Sequence, residues 1–512
     1  MTDIVLTTLN ARYAHCSFGL RYLMANLGPL ADRAAIHEFV IGQAPRDIAE
    51  ALLAHRPRVI GIGVYIWNAV ASGQLVEILK RVAPEVTIVI GGPEVSHETE
   101  GQPIVSRADY VVIGEGDVAF ASLCAAVLEG CPPDGKIVQG GLPDLAALRL
   151  PYAPEFYSDE DIAHREVYVE ASRGCPFRCE FCLSALDKSV RRVPLETLLS
   201  GLGDLIARGR RQFKFVDRTF NLDLPTSAAI LEFFLEHLDA GTELFVHFEM
   251  IPDRLPEGLR ALIRRFPAGS LQFEVGIQTF NPTVAAHISR RQHYGRLADN
   301  LRFLRDETGV HVHADLIAGL PGEDLASFAA GFDQLVEMGP QEVQLGILKR
   351  LRGTPIIRHT APFALVFSPE PPYEILSTSC LDFPTLQRVG RMAQIWDRIA
   401  NSGNFTRATP LLWGEGSPFA GVMAFSDWVF ATLGRTHSIA LNRLAQALFD
   451  YLTGGAGTDP DVAGFLVAQD LLSGGRRSLP GFLEPWRRRA EEVHKATQHG
   501  ATPNRQARHL TG

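Results

Sequence analysis

Three cysteines on one short stretch carry the clearest chemistry in the sequence. Cys175, Cys179 and Cys182 stand at the spacing C-x3-C-x2-C, directly after a strand-like run at residues 166–171. Thiolates this close along a loop can surround a single metal centre. A cubane iron–sulfur cluster normally takes four cysteine ligands. Three cysteines therefore leave one iron without a protein ligand, and an open metal position is where substrate chemistry takes place.

Two plainer interpretations of the same cysteines stay open at this point. A structural zinc site needs four ligands, and the nearest further candidates, His164 and Cys131, lie outside the loop. A cluster of reduced, buried cysteines needs no metal at all. The sequence after the cysteines favours the iron–sulfur cluster. As described below, it predicts an open barrel of parallel strands, and polar residues stand where those strands should end.

The cysteine stretch resembles the cluster loop of the radical S-adenosylmethionine (SAM) superfamily, including the aromatic Phe181 before the last cysteine. The resemblance implies that Cys175, Cys179 and Cys182 are catalytic and ligate three irons of a [4Fe-4S] cluster. It also implies that the fourth iron holds the amino and carboxylate groups of SAM. One electron from the cluster would then cleave SAM to a 5′-deoxyadenosyl radical.

The composition of the 512-residue chain is that of an ordinary globular protein. Hydrophobic residues make up 46% of the chain and charged residues 21%, which is enough to bury large cores. The net charge of −9 argues against a general nucleic-acid binder, whose surface is basic. Seven cysteines, three of them clustered, suit a reducing cytoplasm better than a disulfide framework. We therefore expect a cytoplasmic protein without a membrane span or a nucleic-acid partner.

Strand-like and helical runs alternate through residues 1–145. Strand patterns at 4–9, 35–40, 59–64, 86–90 and 110–113 are separated by helical patterns at 18–27, 46–54, 70–82 and 118–128. This alternation predicts a doubly wound parallel sheet, which binds ligands at the carboxyl ends of its strands. Polar, aromatic and glycine-rich turns stand at those ends, namely Tyr65, Trp67 and Asn68, then Gly91, Gly92, Pro93 and Glu94, and then Gly114, Glu115 and Gly116.

Together with the cysteine loop, these turns resemble the cobalamin-binding domain that precedes the barrel in one class of radical SAM enzymes. The resemblance implies that the turn residues contact cobalamin. Domains that supply a histidine to cobalt carry Asp-x-His-x-x-Gly in their first loop. Here the loop around His15 lacks the aspartate and has a different glycine spacing. We therefore expect bound cobalamin to lack a histidine ligand.

Residues 161–365, which follow a linker at 146–160, contain a second series of strand–helix units. Six strand patterns lie at 166–171, 212–217, 243–249, 271–278, 310–317 and 342–348. Six parallel strands with crossover helices predict a partial (β/α)6 TIM-like barrel whose mouth is lined by the strand ends. The cysteine loop follows the first of these strands, so we expect the metal centre at that mouth.

Polar residues stand where the barrel strands should end, and acceptor groups suit the cationic SAM. The stretch ending at Gln278 is similar to the ribose-contacting motif of members related to coproporphyrinogen dehydrogenase. The stretch around Gly319 is similar to the glycine motif near adenine. Asp217 stands where the superfamily often has a Gly-Gly-Glu motif. With Glu249 and Arg291, these residues are the expected SAM contacts.

Residues 366–512 follow a proline-rich break and are predicted to be mostly helical. Helical patterns lie at 386–400, 426–433 and 439–452, and the polar tail from residue 497 is expected to be disordered. The region resembles a C-terminal extension of certain cobalamin-binding radical SAM proteins. We expect it to close over the barrel mouth.

These resemblances predict an enzyme that uses SAM and cobalamin to methylate an unactivated carbon of a small molecule or peptide. A flavodoxin- or ferredoxin-type protein would donate the electron. One alternative keeps both cofactors for ring formation or rearrangement without methyl transfer. Another is a non-catalytic cobalamin- or redox-sensing protein with a degenerate barrel. The products distinguish them, because only methyl transfer yields S-adenosylhomocysteine beside 5′-deoxyadenosine.

Overall fold

The computed structural model describes residues 2–476 and 478–497, which form two compact units. The disordered tail predicted beyond residue 497 lies outside the described residues, apart from Thr497 itself, which ends a helix. The first unit comprises the chain up to Glu249 with Lys349–Ile357 and Ser368–Glu374, and the second comprises Met250–Leu348, Arg358–Phe367 and the chain from Ile375 onward.

The first unit begins with a parallel sheet of six strands in the order β2-β1-β3-β4-β5-β6. Its strands are β1 (Ile4–Asn10), β2 (Ala34–Val40), β3 (Val59–Gly63), β4 (Thr87–Gly91), β5 (Tyr110–Ile113) and β6 (Ile137–Gln139). Its helices are α1 (Phe18–Ala25), α2 (Pro45–Leu53), α3 (Ala69–Val82), α4 (Pro103–Arg107) and α5 (Ala119–Leu128). The order reverses at β1 and β3, and ligands bind at such switch points.

Both faces of this sheet are buried, because alternate residues of each strand point to opposite sides. Val5 and Leu9 of β1 pack with Leu75 of α3 in one hydrophobic cluster. Ile4 of β1 packs with Phe120 of α5 in another. The sheet is therefore covered by helices on both sides, as the nearly continuous apolar strands predict.

The remainder of the first unit holds the first strands of the second predicted series. Its elements are α6 (Asp159–His164), β7 (Val167–Val169), the short pair β8 (Ser172–Arg173) and β9 (Arg191–Arg192), α7 (Leu195–Ala207), β10 (Gln212–Phe215), α8 (Leu224–Asp239) and β11 (Phe245–Met250). Strand β10 pairs in parallel with both β7 and β11. The cysteine loop lies between β8 and β9, just after β7.

The second unit carries the last three strands of that series and the helical C-terminal region. Its elements are α9 (Glu257–Ile263), β12 (Leu271–Gln278), α10 (Pro282–His287), α11 (Tyr294–Glu307), β13 (His311–Ala318), α12 (Leu325–Met338), β14 (Glu342–Ile347), β15 (Val366–Phe367), β16 (Ile375–Ser377), α13 (Phe383–Trp396), α14 (Pro418–Leu433), α15 (Leu441–Gly454), α16 (Pro460–Ser473) and α17 (Arg487–Thr497). Strand β13 pairs in parallel with β12 and β14.

These elements confirm the predicted fold class: a doubly wound parallel sheet, a second series of parallel strands alternating with helices, and a mostly helical C-terminal region. The predicted linker is packed, since Tyr152 and Tyr157 are buried. Helix α6 begins there with a capping box between Ser158 and Asp161. No helix within the described ranges has the length and hydropathy of a membrane-spanning segment.

Candidate functional site

The cysteine loop is held by backbone hydrogen bonds. The Cys175 N–H donates to the Asp187 carbonyl (2.9 Å), and the Cys182 N–H donates to the Cys179 carbonyl (3.1 Å). Cys175 and Cys179 are buried, Cys182 is partly exposed, and all three are free thiols. Burial raises the pKa of the Cys175 thiol, and the neighbouring Cys182 and Cys179 raise it further. Metal binding opposes this effect, because a coordinated thiol is deprotonated.

The three thiols fit an iron–sulfur cluster by their chemistry. They lie on one loop of the first unit and supply soft sulfur ligands for three irons. In the described ranges, no three His, Cys, Asp or Glu side chains are already grouped as metal ligands. Ligation of a cluster by these cysteines therefore stays a prediction.

Asp217, a predicted SAM contact after β10, has protein partners for both carboxylate oxygens. One oxygen accepts a hydrogen bond from the Ala171 N–H (2.9 Å), and the other accepts one from the Ser172 hydroxyl (2.6 Å). Burial raises the pKa of Asp217 to about 6. Through these two hydrogen bonds, the Asp217 side chain holds the chain just before the cysteine loop.

Glu249 lies near the end of β11 in the same unit and pairs with a neighbouring arginine. Its carboxylate accepts a hydrogen bond from the Arg218 guanidinium at 2.6 Å. The positive charge of Arg218 partly opposes the rise in the pKa of Cys175 that burial causes, so the ion pair lies within electrostatic reach of the cysteine loop. A partly buried carboxylate at this place suits a cationic ligand.

The carboxyl end of β12, in the second unit, has an unusual backbone and a buried polar pair. Gln278 has a φ of 74°, and its buried Oε1 has no hydrogen-bond partner among the described residues. The next residue, Thr279, donates its hydroxyl to Glu323 at 2.6 Å. Burial raises the pKa of Glu323 to about 7. An unpartnered buried amide oxygen fits a ligand that brings a hydroxyl, as the ribose of SAM does.

Gly319 follows β13 and Arg291 lies between α10 and α11 in this unit. Gly319 has a φ of 87°, and an added Cβ would lie 2.6 Å from Cγ2 of Ile375. Only glycine fits this conformation and this contact. Arg291 is exposed. Packing accounts for Gly319 by itself, so the SAM contacts of both residues stay predictions.

A cavity of about 300 Å³ opens at the carboxyl ends of β3, β4 and β5. Gly92 in its wall has a φ of 108°, and an added Cβ would lie 2.5 Å from the Val64 carbonyl oxygen. The backbone therefore forms part of the wall, where it can approach a bound group closely. Six of the predicted cobalamin contacts line the cavity, namely Tyr65, Gly91, Gly92, Gly114, Glu115 and Gly116. The glycines and the largely apolar wall fit an apolar part of a large cofactor.

Glu170 and Arg173, which are not among the predicted site residues, also line this cavity. Arg173 pairs with Glu170 at 2.9 Å. It also pairs with Glu115 at 2.8 Å and with Asp117 at 2.7 Å, on the loop after β5. Arg173 precedes Cys175 by two positions, so these ion pairs join the cavity wall to the cysteine loop. The only signal in the sequence that could have found these two residues was the pair of opposite charges, Glu170 and Arg173, shortly before the first cysteine.

Three family matches then cover most of the chain. Residues 4–124 match the B12 binding domain, residues 169–335 match the Radical SAM superfamily, and residues 361–509 match a protein of unknown function (DUF4080). The chain therefore carries a B12 binding domain followed by a Radical SAM domain. The resemblances of the cysteine loop and the glycine turns to these two families are thereby confirmed.

The chain has related sequences and a related fold among known proteins. It is 26% identical over 462 residues to the cobalamin-dependent radical SAM methyltransferase TokK of Streptomyces tokunonensis. The match covers 80% of this chain and 63% of TokK, so the chain spans less than two thirds of TokK's length. It is 25% identical over 333 residues to an uncharacterized methyltransferase of Pyrococcus horikoshii, covering 60% of this chain and 70% of that protein. Its fold is similar to that of the radical SAM methyltransferase TsrM from Kitasatospora setae, solved with cobalamin and a [4Fe-4S] cluster bound, with a TM-score of 0.60 at 16% identity over 97% of this chain and 99% of that one.

The other predicted cobalamin contacts are not among the residues that line the cavity, namely Trp67, Asn68, Pro93 and Glu94. Asn68 is buried, and its side-chain amide hydrogen-bonds three backbone groups. Trp67 is half exposed and stacks on Tyr65 with ring centroids 4.5 Å apart. Glu94 is buried and accepts hydrogen bonds from Arg352 and Tyr373. Asn68 and Glu94 thus hold the loops that form the cavity.

Proposed function

We propose that this radical SAM protein is a cobalamin-dependent methyltransferase that acts on an unactivated carbon of a small molecule or peptide. One observation carries the proposal: Arg173 lines the cavity of the B12 binding domain and stands two positions before the first cysteine of the loop. A substrate held between the two would lie beside both reactive groups, as a transfer reaction requires. The names of TokK and the Pyrococcus relative support methyl transfer.

Each cofactor has residues proposed to hold it. When bound, a [4Fe-4S] cluster supplies the electron that cleaves SAM, and cobalamin supplies the methyl group. Asp217 keeps the backbone before the cysteine loop in place, and Asn68 and Glu94 keep the loops of the cavity in place. Contacts of these three residues with SAM or cobalamin stay predictions. The proposed contacts are Cys175, Cys179 and Cys182 with Phe181 for the cluster; Glu249, Gln278, Arg291 and Gly319 for SAM; and Tyr65, Trp67, Gly91, Gly92, Pro93, Gly114, Glu115 and Gly116 for cobalamin.

We further infer that the protein works in a reducing cytoplasm with a flavodoxin- or ferredoxin-type electron donor. All seven cysteines are free thiols, and thiols remain reduced in that compartment. Cleavage of SAM in the presence of a reduced flavodoxin, without a chemical reductant, tests the donor.

Replacement of one cysteine separates the two cofactors. In Cys179→Ala protein purified without oxygen and supplied with iron, sulfide and hydroxocobalamin, we expect SAM cleavage to 5′-deoxyadenosine to fall at least 100-fold. Corrinoid content measured by absorption should match that of the unmodified protein, because residue 179 lies outside the lining of the cavity. Loss of corrinoid together with SAM cleavage would contradict the assignment of separate sites.

The products of the unmodified protein test methyl transfer. With SAM and reductant, S-adenosylhomocysteine should appear beside 5′-deoxyadenosine. Formation of 5′-deoxyadenosine alone would favour radical chemistry without methyl transfer. Absence of any SAM cleavage would contradict the proposed function.

A further inference from the structure

A segment that follows β14 contacts both the cysteine loop and the loop after β4. This segment is Lys349–Ile357, which belongs to the first unit. Near its end, the Ile356 N–H donates to the Glu180 carbonyl at 2.9 Å. Glu180 lies between the second and third cysteines of the loop. The segment therefore holds the cysteine loop from one side.

The same segment binds Glu94, which follows the cavity-lining Gly91 and Gly92. The Arg352 Nε–H donates to Glu94 Oε1 at 2.9 Å. The hydroxyl of Tyr373, which lies in the Ser368–Glu374 stretch of the same unit, donates to the same oxygen at 2.5 Å. Arg352 also donates to the Tyr373 hydroxyl at 2.8 Å. Glu94 is only 6% exposed, so its charge is balanced mainly by this arginine.

A second set of contacts involves Glu98, four positions after Glu94 on the same loop. The Glu98 carboxylate accepts hydrogen bonds from the Gly353 N–H (3.0 Å) and from Arg350 (2.8 Å). Partial burial opposes ionisation, yet these contacts hold the pKa of Glu98 below its usual value. Gly353 has a φ of 80°, and an added Cβ would lie 2.5 Å from the ring of His97. The backbone of the segment is thus packed directly against the side chains of His97 and Glu98 on the loop.

We propose that Lys349–Ile357 is a clamp that fixes the loop from Gly91 to Glu98 relative to the cysteine loop. Because this loop forms one wall of the cobalamin cavity, the clamp fixes that wall as well. Arg352 is its central positioning residue. The inference rests on the proposed function in that cobalamin is the ligand of the cavity. The clamp explains why Glu94 is buried without lining the cavity. It also gives the two cofactor sites a fixed separation, which transfer between them requires.

Loss of Arg352 should loosen the loop rather than unfold the protein. A buried carboxylate without its cation is costly, and the exposed edge of the loop lets Glu94 turn toward water. The loop then has to be ordered again when a ligand binds, and that cost weakens binding. The contact between Ile356 and the cysteine loop is a backbone hydrogen bond, so it does not depend on the arginine side chain.

The test compares Arg352→Met with the unmodified protein, both reconstituted with iron and sulfide. Titration with hydroxocobalamin, followed by quenching of tryptophan fluorescence, should show a dissociation constant raised about tenfold. Hydrogen exchange in peptides covering residues 91–98 should become faster, while the iron content per chain stays unchanged. Arg352→Lys, which keeps the charge, should restore most of the affinity.

Two further variants make the result specific. Arg388→Met removes an ion pair to Asp427 (2.7 Å) in the second unit and should leave all three measurements unchanged. Tyr373→Phe removes the hydroxyl that donates to Glu94 and accepts from Arg352, and it should raise the dissociation constant about threefold. This variant tests the clamp even if Arg352→Met does not fold.

Unchanged cobalamin affinity in both Arg352→Met and Tyr373→Phe would overturn the clamp. Loss of iron together with cobalamin, with faster exchange throughout the chain, would also overturn it, because the arginine would then serve general stability. Failure of the proposed function is a separate result. It would appear as absence of SAM cleavage by the unmodified protein, and the binding measurements do not depend on it.

Discussion

Glu323 shows how burial alone changes the chemistry of one residue in the second unit. Its Oε1 accepts the Thr279 hydroxyl, whereas its buried Oε2 has no hydrogen-bond partner among the described residues. Burial raises its pKa from 4.5 to about 7. The folded state therefore binds a proton that the unfolded state releases between these pH values. The stability that this proton contributes is complete below pH 4.5 and is lost as the pH rises through 7.

Replacement by glutamine removes this dependence. The free energy of unfolding of Glu323→Gln minus that of the unmodified protein should be larger at pH 8 than at pH 5, by about 1–3 kcal/mol. Urea unfolding at both pH values measures the difference. An equal difference at the two pH values would show that the carboxyl group is ionised in the folded protein at pH 5.

The sequence predicted the kinds of residue in the site better than their partners. Cys175, Cys179 and Cys182 were recognisable because their spacing along the chain is itself the signal. Glu94 was noticed for its place beside two glycines, but its buried carboxylate binds Arg352, which lies 258 positions away. Such a contact leaves no local pattern, since either residue alone resembles an ordinary surface charge.

Among the elements, the turn after β4 has little freedom to change. Gly92 has a φ of 108°, and a Cβ there would lie 2.5 Å from a backbone oxygen. Gly92→Ala should destabilise the protein by about 2 kcal/mol or more and reduce corrinoid content several-fold, because the displaced backbone forms the cavity wall. Absorption spectra and thermal unfolding measure the two effects.

Gly73 offers a matched control on helix α3. A Cβ added there meets nothing within 4 Å, and alanine favours a helix by about 1 kcal/mol over glycine. Gly73→Ala should therefore keep its corrinoid and gain slightly in stability. Normal corrinoid binding by Gly92→Ala would show that the turn does not shape the site.

The strands and helices with strong apolar periodicity were predictable, and the short ones were not. Strands β5 and β12 lie where the pattern predicts, because buried strands read as continuous or alternating apolar runs. Strand β6 has only three residues, and two of them are exposed, so no periodicity marks it. It forms by pairing with β5, which is a tertiary effect that local sequence does not show.

For the whole molecule, the order of the three regions followed from the sequence, and the comparisons match it with families at residues 4–124, 169–335 and 361–509. The contacts that join the regions did not follow from it. Arg173 and Arg352 each connect the B12 binding domain to a distant part of the first unit. These ion pairs form only after the elements are assembled, and they bring the cavity and the cysteine loop together.

The central claim is that cobalamin and the iron–sulfur cluster are held side by side in the first unit. Electron paramagnetic resonance tests it directly, in protein poised so that both the cobalt(II) and the reduced cluster are paramagnetic. The account predicts that the cobalt signal relaxes faster than in a variant with Cys175, Cys179 and Cys182 all changed to Ala, because the nearby cluster spin is then missing. Equal relaxation rates in two samples with full corrinoid content would contradict it.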